Sequence, residues 1–119
     1  MAPTTVNAID VNVSLSELYS ATGGINGRWY SSTNWGTATD PCTWYGVTCA
    51  AGEPLSLDLS GNYLAGSLPT EFGALTTLVD LDLSNNFMNG TLPTELGSLT
   101  GVQSLNLGST MDLTKYWSQ

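Results

Sequence analysis

Residues 57–108 read LDLSGNYLAGSLPTEFGALTTLVDLDLSNNFMNGTLPTELGSLTGVQSLNLG. Shifted by 24 residues, the stretch falls on itself. Leu57, Leu81 and Leu105 superpose, as do Leu59, Leu83 and Leu107. Asn62 falls on Asn86, Leu64 on Met88, Gly66 on Gly90, Leu68 on Leu92 and Pro69 on Pro93. Glu71 then matches Glu95, Phe72 matches Leu96, Gly73 matches Gly97, Leu75 matches Leu99 and Leu78 matches Val102. A period of this length is read before any local pattern, because such a unit can bury its apolar side chains only against the next one.

The physics of one unit follows from its residues. Each Leu-x-Leu dyad (57/59, 81/83, 105/107) is a short strand whose alternate side chains point inward. No such strand stands alone, so it pairs in parallel with its neighbours along a stack. Asn62 and Asn86 come where the chain must turn, and a side-chain amide there can bond the backbone of the adjacent coil. Gly66 and Gly90 permit backbone angles closed to other residues, and Pro69 and Pro93 fix φ at the start of the return segment. Thr70 to Leu75 and Thr94 to Leu99 bury Phe72, Leu75, Leu96 and Leu99 as 3₁₀ or short helical turns on the convex side. Two amphipathic helices would need the recurring Pro and Gly in their interiors, where each is a breaker. The expected fold is an α/β solenoid of short leucine-rich repeats with one small parallel β-sheet.

Composition bounds the rest. At 119 residues the chain is one small domain. A hydrophobic content of 41% and a mean hydropathy of +0.02 mark it as globular. Ten acidic residues against two basic ones give a formal charge of −8, which argues against nucleic acid or an anionic membrane as partner. No run is long and apolar enough to span a bilayer, and the first residues, MAPTTVNAID, lack the basic and apolar regions of a signal peptide. Met1 reads as a start placed on a mature chain. The two cysteines, Cys42 and Cys49, lack the histidines and further thiolates of a zinc site, so a disulfide and an oxidising compartment are expected. Closing that loop contributes roughly 2.5 kcal/mol by chain entropy.

Taken in order, residues 1–53 read as an arm and cap, 54–108 as two full repeats and a partial one, and 109–119 as a tail, all in one domain. Residues 1–12 look extended. Ser14 with Glu17 suits a capping box for a short helix over Leu15 to Ala21, with Leu15, Leu18 and Tyr19 inward and Gly23-Gly24 ending it. An open end of a solenoid must be covered. Trp29, Trp35, Trp44 and the helix are the lid expected at the N-terminal end. At the other end Thr110 replaces the expected Asn and Asp112 the expected Leu. In one reading Met111, Leu113, Tyr116 and Trp117 fold over as an improvised cap; in the other the chain is cut from a longer solenoid, and the strand at Leu105 to Leu107 is a bare edge inviting self-association.

The spacing Cys-x-Trp-x-Gly-Val-x-Cys, here Cys42, Trp44, Gly46, Val47 and Cys49, is similar to the N-terminal cap of plant-type leucine-rich repeat proteins. Leu18-Tyr19, Gly23-Gly24 and Trp35 also fit that cap. The Leu-Pro-x-Glu-x-Gly-x-Leu half of each repeat resembles the same family, whose pattern carries Asn-x-Leu-x-Gly-x-Ile-Pro; Leu68 and Leu92 stand where it usually has isoleucine. The resemblance runs from about residue 14 to residue 108. It implies a helical, disulfide-bonded cap and an extracellular or cell-surface location. It also implies a role in recognition, because the family includes receptor-kinase ectodomains, polygalacturonase-inhibiting proteins and surface proteins of algae and protists.

No catalytic constellation is legible: the chain has no histidine, no nucleophile elbow and no phosphate-cradling glycine loop. No enzyme activity and no cofactor are expected. Asp80-Leu81-Asp82-Leu83-Ser84 lacks the glycine and distal glutamate of a calcium loop, so no metal is expected either. Glu71 and Glu95 read as a solvated convex face. The candidate binding surface is the concave face, where residues between the inward leucines point out: Ser56, Asp58 and Ser60; Asp80, Asp82 and Ser84; Ser104, Asn106 and Gly108. Asp58, Asp82 and Asn106 should form one row about 4.8 Å apart. Such a row suits a basic or polyhydroxy partner, and short polar residues are equally what an exposed strand tolerates. Asn12-Val13-Ser14 and Asn89-Gly90-Thr91 are N-glycosylation triplets.

Three functions follow. The first is a secreted or surface module recognising a protein, peptide or glycan on the concave face. The second is a structural or adhesive unit that self-assembles as a homo-oligomer through its C-terminal edge. The third is an ice-binding surface of repeated hydroxyls, Ser67/Thr91, Thr70/Thr94 and Thr76/Thr100, whose bland counterpart is turn chemistry.

Overall fold

The computed structural model describes residues 8–89 and 92–108. An α-helix, α1 (Ala8–Ala21), is followed by six strands: β1 (Val47–Ala50), β2 (Glu53–Asp58), β3 (Ala65–Gly66), β4 (Asp80–Asp82), β5 (Phe87–Met88) and β6 (Ser104–Asn106). Short 3₁₀ turns at Thr70–Ala74 and Thr94–Ser98 return the chain in successive repeats. Pro69 and Pro93 sit at their N-caps, as the proline spacing requires.

The repeat register is the one the leucines dictate. Leu57 pairs with Leu81 and Leu81 with Leu105 in parallel strands β2, β4 and β6. Leu57, Leu59, Leu81, Leu83 and Leu107 are buried, together with Phe72, Leu75, Leu96 and Leu99 from the opposite wall. Asn86 stitches the coils: its Oδ1 accepts the N–H groups of Asn62 and Leu64, and its Nδ2 donates to the Leu59 carbonyl. Asn62 does the same towards the cap, accepting from the Ser31 N–H at 2.7 Å and donating to the Ser31 carbonyl at 2.9 Å. Gly66 takes a φ of 85°; its counterpart Gly90 lies outside the described residues.

Two expectations for the sheet and helix are corrected. The sheet is not purely parallel: its order is β1-β2-β4-β6, and β1 runs antiparallel to β2. The two strands are joined by Ala51-Gly52, with φ of 53° and 79°, the two left-handed residues of a hairpin turn. A second, two-stranded parallel sheet joins β3 to β5. The helix does not start at Ser14 but runs back to Ala8, so residues 8–12 are not an extended arm. Ser14 is mid-helix and buried at 1% exposure. An inward stripe of Val11, Ser14, Leu15 and Leu18 at helical spacing wins over the local capping signal, because burying Val11 alone is worth about 1.5 kcal/mol or more. The rest of the expected arm, residues 1–7, and the tail, residues 109–119, lie outside the described residues.

The cap covers the N-terminal end. Trp29, Trp35 and Trp44 are buried, and Tyr19 packs edge-on to Trp29 at 5.0 Å and stacks on Trp35 at 5.8 Å. Every indole N–H among the three has a partner: Trp29 donates to Thr22, Trp35 to the Tyr45 carbonyl and Trp44 to Thr39. Cys42 and Cys49 are disulfide-bonded, tying the 3₁₀ turn Pro41–Thr43 to β1.

Candidate functional site

Strand pairing sets the polar rows. Ser56, Asp80 and Ser104 share one register line, and Asp58, Asp82 and Asn106 share the next. Asp58, Asp80, Ser104 and Asn106 are exposed, while Ser56 and Asp82 are half-buried.

The turns after the strands explain part of this composition. Asp58 Oδ1 accepts from the Ser60 N–H at 3.0 Å and from its hydroxyl at 2.7 Å. Asp82 Oδ1 repeats the pair with Ser84 at 3.0 and 2.6 Å, and Asn106 Oδ1 accepts from the Gly108 N–H at 3.1 Å. Each coil thus closes the end of its strand with an Asx side chain bonded two residues ahead. The second carboxylate oxygens of Asp58 and Asp82 take no hydrogen bond from a described residue and remain available.

One member of the expected surface does not belong there. Ser84 is buried at 8% exposure. It lies beyond the end of β4, where strand alternation no longer applies; its hydroxyl turns to Asp82 and its carbonyl accepts from Gly61 and Asn86. Ser60, the counterpart, is half-buried with its hydroxyl on Asp58.

Elsewhere, Glu71 and Glu95 are exposed on successive 3₁₀ turns, and the Thr70 and Thr94 hydroxyls each donate to the neighbouring carboxylate at 3.4 Å. Those hydroxyls of the expected ice-facing rows are therefore engaged, and Thr91 lies outside the described residues. Among the described residues no group of three or more His, Cys, Asp or Glu could hold a metal ion. Asn12 is exposed on α1, whereas the Ser14 of its triplet is buried. Asn89 is exposed, but Gly90 and Thr91 of its triplet lie outside the described residues.

Sequence reasoning passed over one surface, an aromatic run on the flank. Tyr30, Tyr63 and Phe87 are 76%, 49% and 57% exposed. Tyr63 stacks on Phe87 with centroids 6.0 Å apart and planes 7° apart, and Tyr30 meets Tyr63 edge-on at 6.0 Å. Arg28 lies 6.0 Å over the Phe87 ring and donates from Nε to the Tyr63 carbonyl at 3.0 Å. Tyr63 adopts φ 64°, a left-handed backbone that costs a bulky L-residue about 1–2 kcal/mol. The signal was available: Tyr63 and Phe87 occupy equivalent positions one repeat apart, directly after the structural asparagines.

Residues 19–50 match the family model of the leucine rich repeat N-terminal domain, and residues 55–75 and 77–99 match that of the Leucine Rich Repeat. A brassinosteroid LRR receptor kinase, BRL3 of Oryza sativa subsp. japonica, is 50% identical over 46 residues, which is 39% of this chain and 4% of that protein. The BIR2 ectodomain of Arabidopsis thaliana superposes with a TM-score of 0.69 at 28% identity, over 87% of this chain and 55% of that one. The ectodomain of the Arabidopsis receptor kinase HAESA, solved with an IDA peptide hormone ligand, gives a TM-score of 0.55 at 30% identity, over 83% of this chain and 17% of that one. A plant ice-binding protein shares the fold alone, at 20% identity and a TM-score of 0.50. The chain thus spans 4% of the receptor kinase and about half of the BIR2 ectodomain. No helix among the described residues is long and apolar enough to cross a membrane. With cap and repeats matched in the same order as their strands stack, the chain belongs to the leucine-rich repeat proteins.

Proposed function

We propose that the chain is an extracellular or cell-surface recognition module: a short α/β solenoid with a disulfide-closed cap in residues 1–53, repeats in 54–108 and a tail in 109–119, all one domain. It is a binding module rather than an enzyme, and its ligand is a basic protein or peptide segment lying across the concave strands. The observation that carries this reading is the set of Asp58, Asp80 and Asp82 on one face, flanked by Ser56, Ser104 and Asn106. Carboxylates one strand apart repel each other, and a cationic side chain laid between them removes the repulsion. The peptide hormone in the HAESA complex supports a peptide ligand. Glycan attachment at Asn12 would have to precede folding, because Ser14 is buried once α1 forms.

Calorimetric titration of nine-residue basic, neutral and acidic peptides tests the placement. The basic peptides bind; Asp58→Asn with Asp82→Asn weakens them about tenfold, and added salt does the same. Binding unchanged in the double variant sinks the concave placement, and binding of neutral oligosaccharides in its stead makes the ligand a glycan. A second reading, self-assembly through β6, is supported by that strand pairing only with β4 among the described residues. Sedimentation at rising concentration decides it: association favours an assembling unit, a constant monomer excludes it.

A further inference from the structure

We infer that the flank formed by Arg28, Tyr30, Tyr63 and Phe87 is a second binding surface, separate from the concave row, and that it takes a protein segment presenting a carboxylate beside proline or aromatic side chains. Three observations meet there. First, the aromatic run is continuous from the cap through two repeats, with each ring 6.0 Å from the next, and all three rings are exposed. Apolar side chains scattered singly on a surface mean little, whereas a contiguous aromatic set with arginine has the composition of an interface centre.

Second, the charge is out of place in this chain. Arg28 is the one Lys or Arg among the described residues of a protein that carries −8 overall. No described carboxylate pairs with it; its Nε is spent on the Tyr63 carbonyl, and its terminal nitrogens donate to no described residue. The hydrogen bond holds the guanidinium fork in a fixed direction, which is the geometry that receives a carboxylate through two N–H groups. Charge complementarity therefore specifies the anion.

Third, Tyr63 is held in a backbone conformation that the repeat does not demand. Its counterpart Phe87 occupies the same place from the extended strand β5. The left-handed turn at Tyr63 is what offers its carbonyl to Arg28 while its ring stays on Phe87. Strain retained at an exposed aromatic residue points to use rather than to packing.

The pairing of a cation with exposed rings selects the class of partner. Tyr63 and Phe87 lie parallel, and the Arg28 guanidinium carbon sits 6.0 Å from the Phe87 centroid. The guanidinium beside the exposed rings joins a positive charge to apolar surface, which the perpendicular Tyr30 ring extends. A peptide carboxylate flanked by proline or aromatic groups fills both parts.

The test is selection of a displayed library of random nine-residue peptides on the disulfide-intact chain, followed by titration of the enriched peptides. They should share Asp or Glu next to Pro or an aromatic residue and should shift the resonances of Tyr30, Tyr63 and Phe87. Tyr63→Gly removes the ring and also relieves the left-handed backbone, so it leaves the melting temperature unchanged or raised while weakening the peptides about 30-fold. Arg28→Gln weakens the acidic peptides about tenfold and leaves peptides with Asn or Gln at that place unaffected. Asp58→Asn with Asp82→Asn leaves all of them bound, which separates this surface from the concave one. Selection without an acidic-aromatic consensus overturns the inference, as does equal affinity for Tyr63→Gly and wild type. Uronic-acid oligosaccharides shifting the same resonances where peptides do not would overturn it in favour of a glycan.

Discussion

The side chain of Asn86 bonds in two directions at once. Its oxygen holds the N–H groups of Asn62 and Leu64 in the preceding coil, and its nitrogen reaches the carbonyls of Leu59, Leu83 and Ser84. All this happens at 5% exposure, out of reach of bulk water. Removing the amide leaves two buried N–H groups without partners, each worth about 1–3 kcal/mol of lost solvation. Asn86→Ala should therefore cost about 3 kcal/mol and lower the melting temperature by about 10 °C, read by circular dichroism. Asn62→Ala breaks only the pair of bonds to Ser31 and frees a single N–H, on a half-buried residue, and should cost about half as much. Equal losses would mean that the amides do not carry the connection between coils. The same residue scale shows why Asp58 and Asp82 were legible as a row yet ambiguous in purpose. One oxygen of each closes a turn, so a structural demand and a binding role both select the same residue type.

At the scale of the element, the close approach of successive 3₁₀ turns sets a sharp test. A Cβ on Gly73 would lie 2.5 Å from the Glu95 carbonyl oxygen, in backbone that cannot swing aside. On Gly97, its counterpart one repeat later, a Cβ meets no described atom within 4 Å. Gly73→Ala should cost about 2 kcal/mol by forcing the two turns apart, whereas Gly97→Ala stays within about 0.5 kcal/mol. Urea denaturation of the two variants measures the difference, and similar midpoints would show that the turns do not stack as described. These turns were readable in the sequence because Pro, Gly and Leu each recur for a steric reason. The start of α1 was not: Ser14 and Glu17 spell a local cap, and only the burial of Val11 in the common core accounts for a helix that continues back to Ala8. The β1–β2 hairpin escaped for a related reason, since Ala51 is a poor advertisement for a left-handed turn. The aromatic flank escaped because the repeat places no demand on the residue after each structural asparagine. Where the pattern is silent, only the folded neighbours Arg28 and Tyr30 give Tyr63 and Phe87 a meaning.

For the whole molecule, the decisive property is that cap and repeats share one core. The buried cluster runs without a break from Val11, Leu15 and Leu18 through the cap tryptophans to Leu57, Leu81 and Leu107. Helix α1 lies against the 3₁₀ turn Thr70–Ala74, and the backbone at Gly66 approaches the Ala21 carbonyl so closely that a Cβ there would sit 2.4 Å from it. A chain of this size buries too little to keep a half folded once the other half opens. Unfolding should therefore be a single transition, with tryptophan fluorescence, which reports mainly the cap, coinciding with far-ultraviolet circular dichroism, which reports the helix and strands. Reducing the Cys42–Cys49 bond closes this argument, because the bond lies wholly within the cap. If cap and repeats were separate units, its loss would move the fluorescence transition alone. With one shared core, Cys42→Ser with Cys49→Ser should shift both transitions together by about 2.5 kcal/mol, the chain-entropy value for so short a loop. Two transitions that separate on reduction would divide the domain at the cap, and the proposed recognition surface would then rest on repeats able to stand without it.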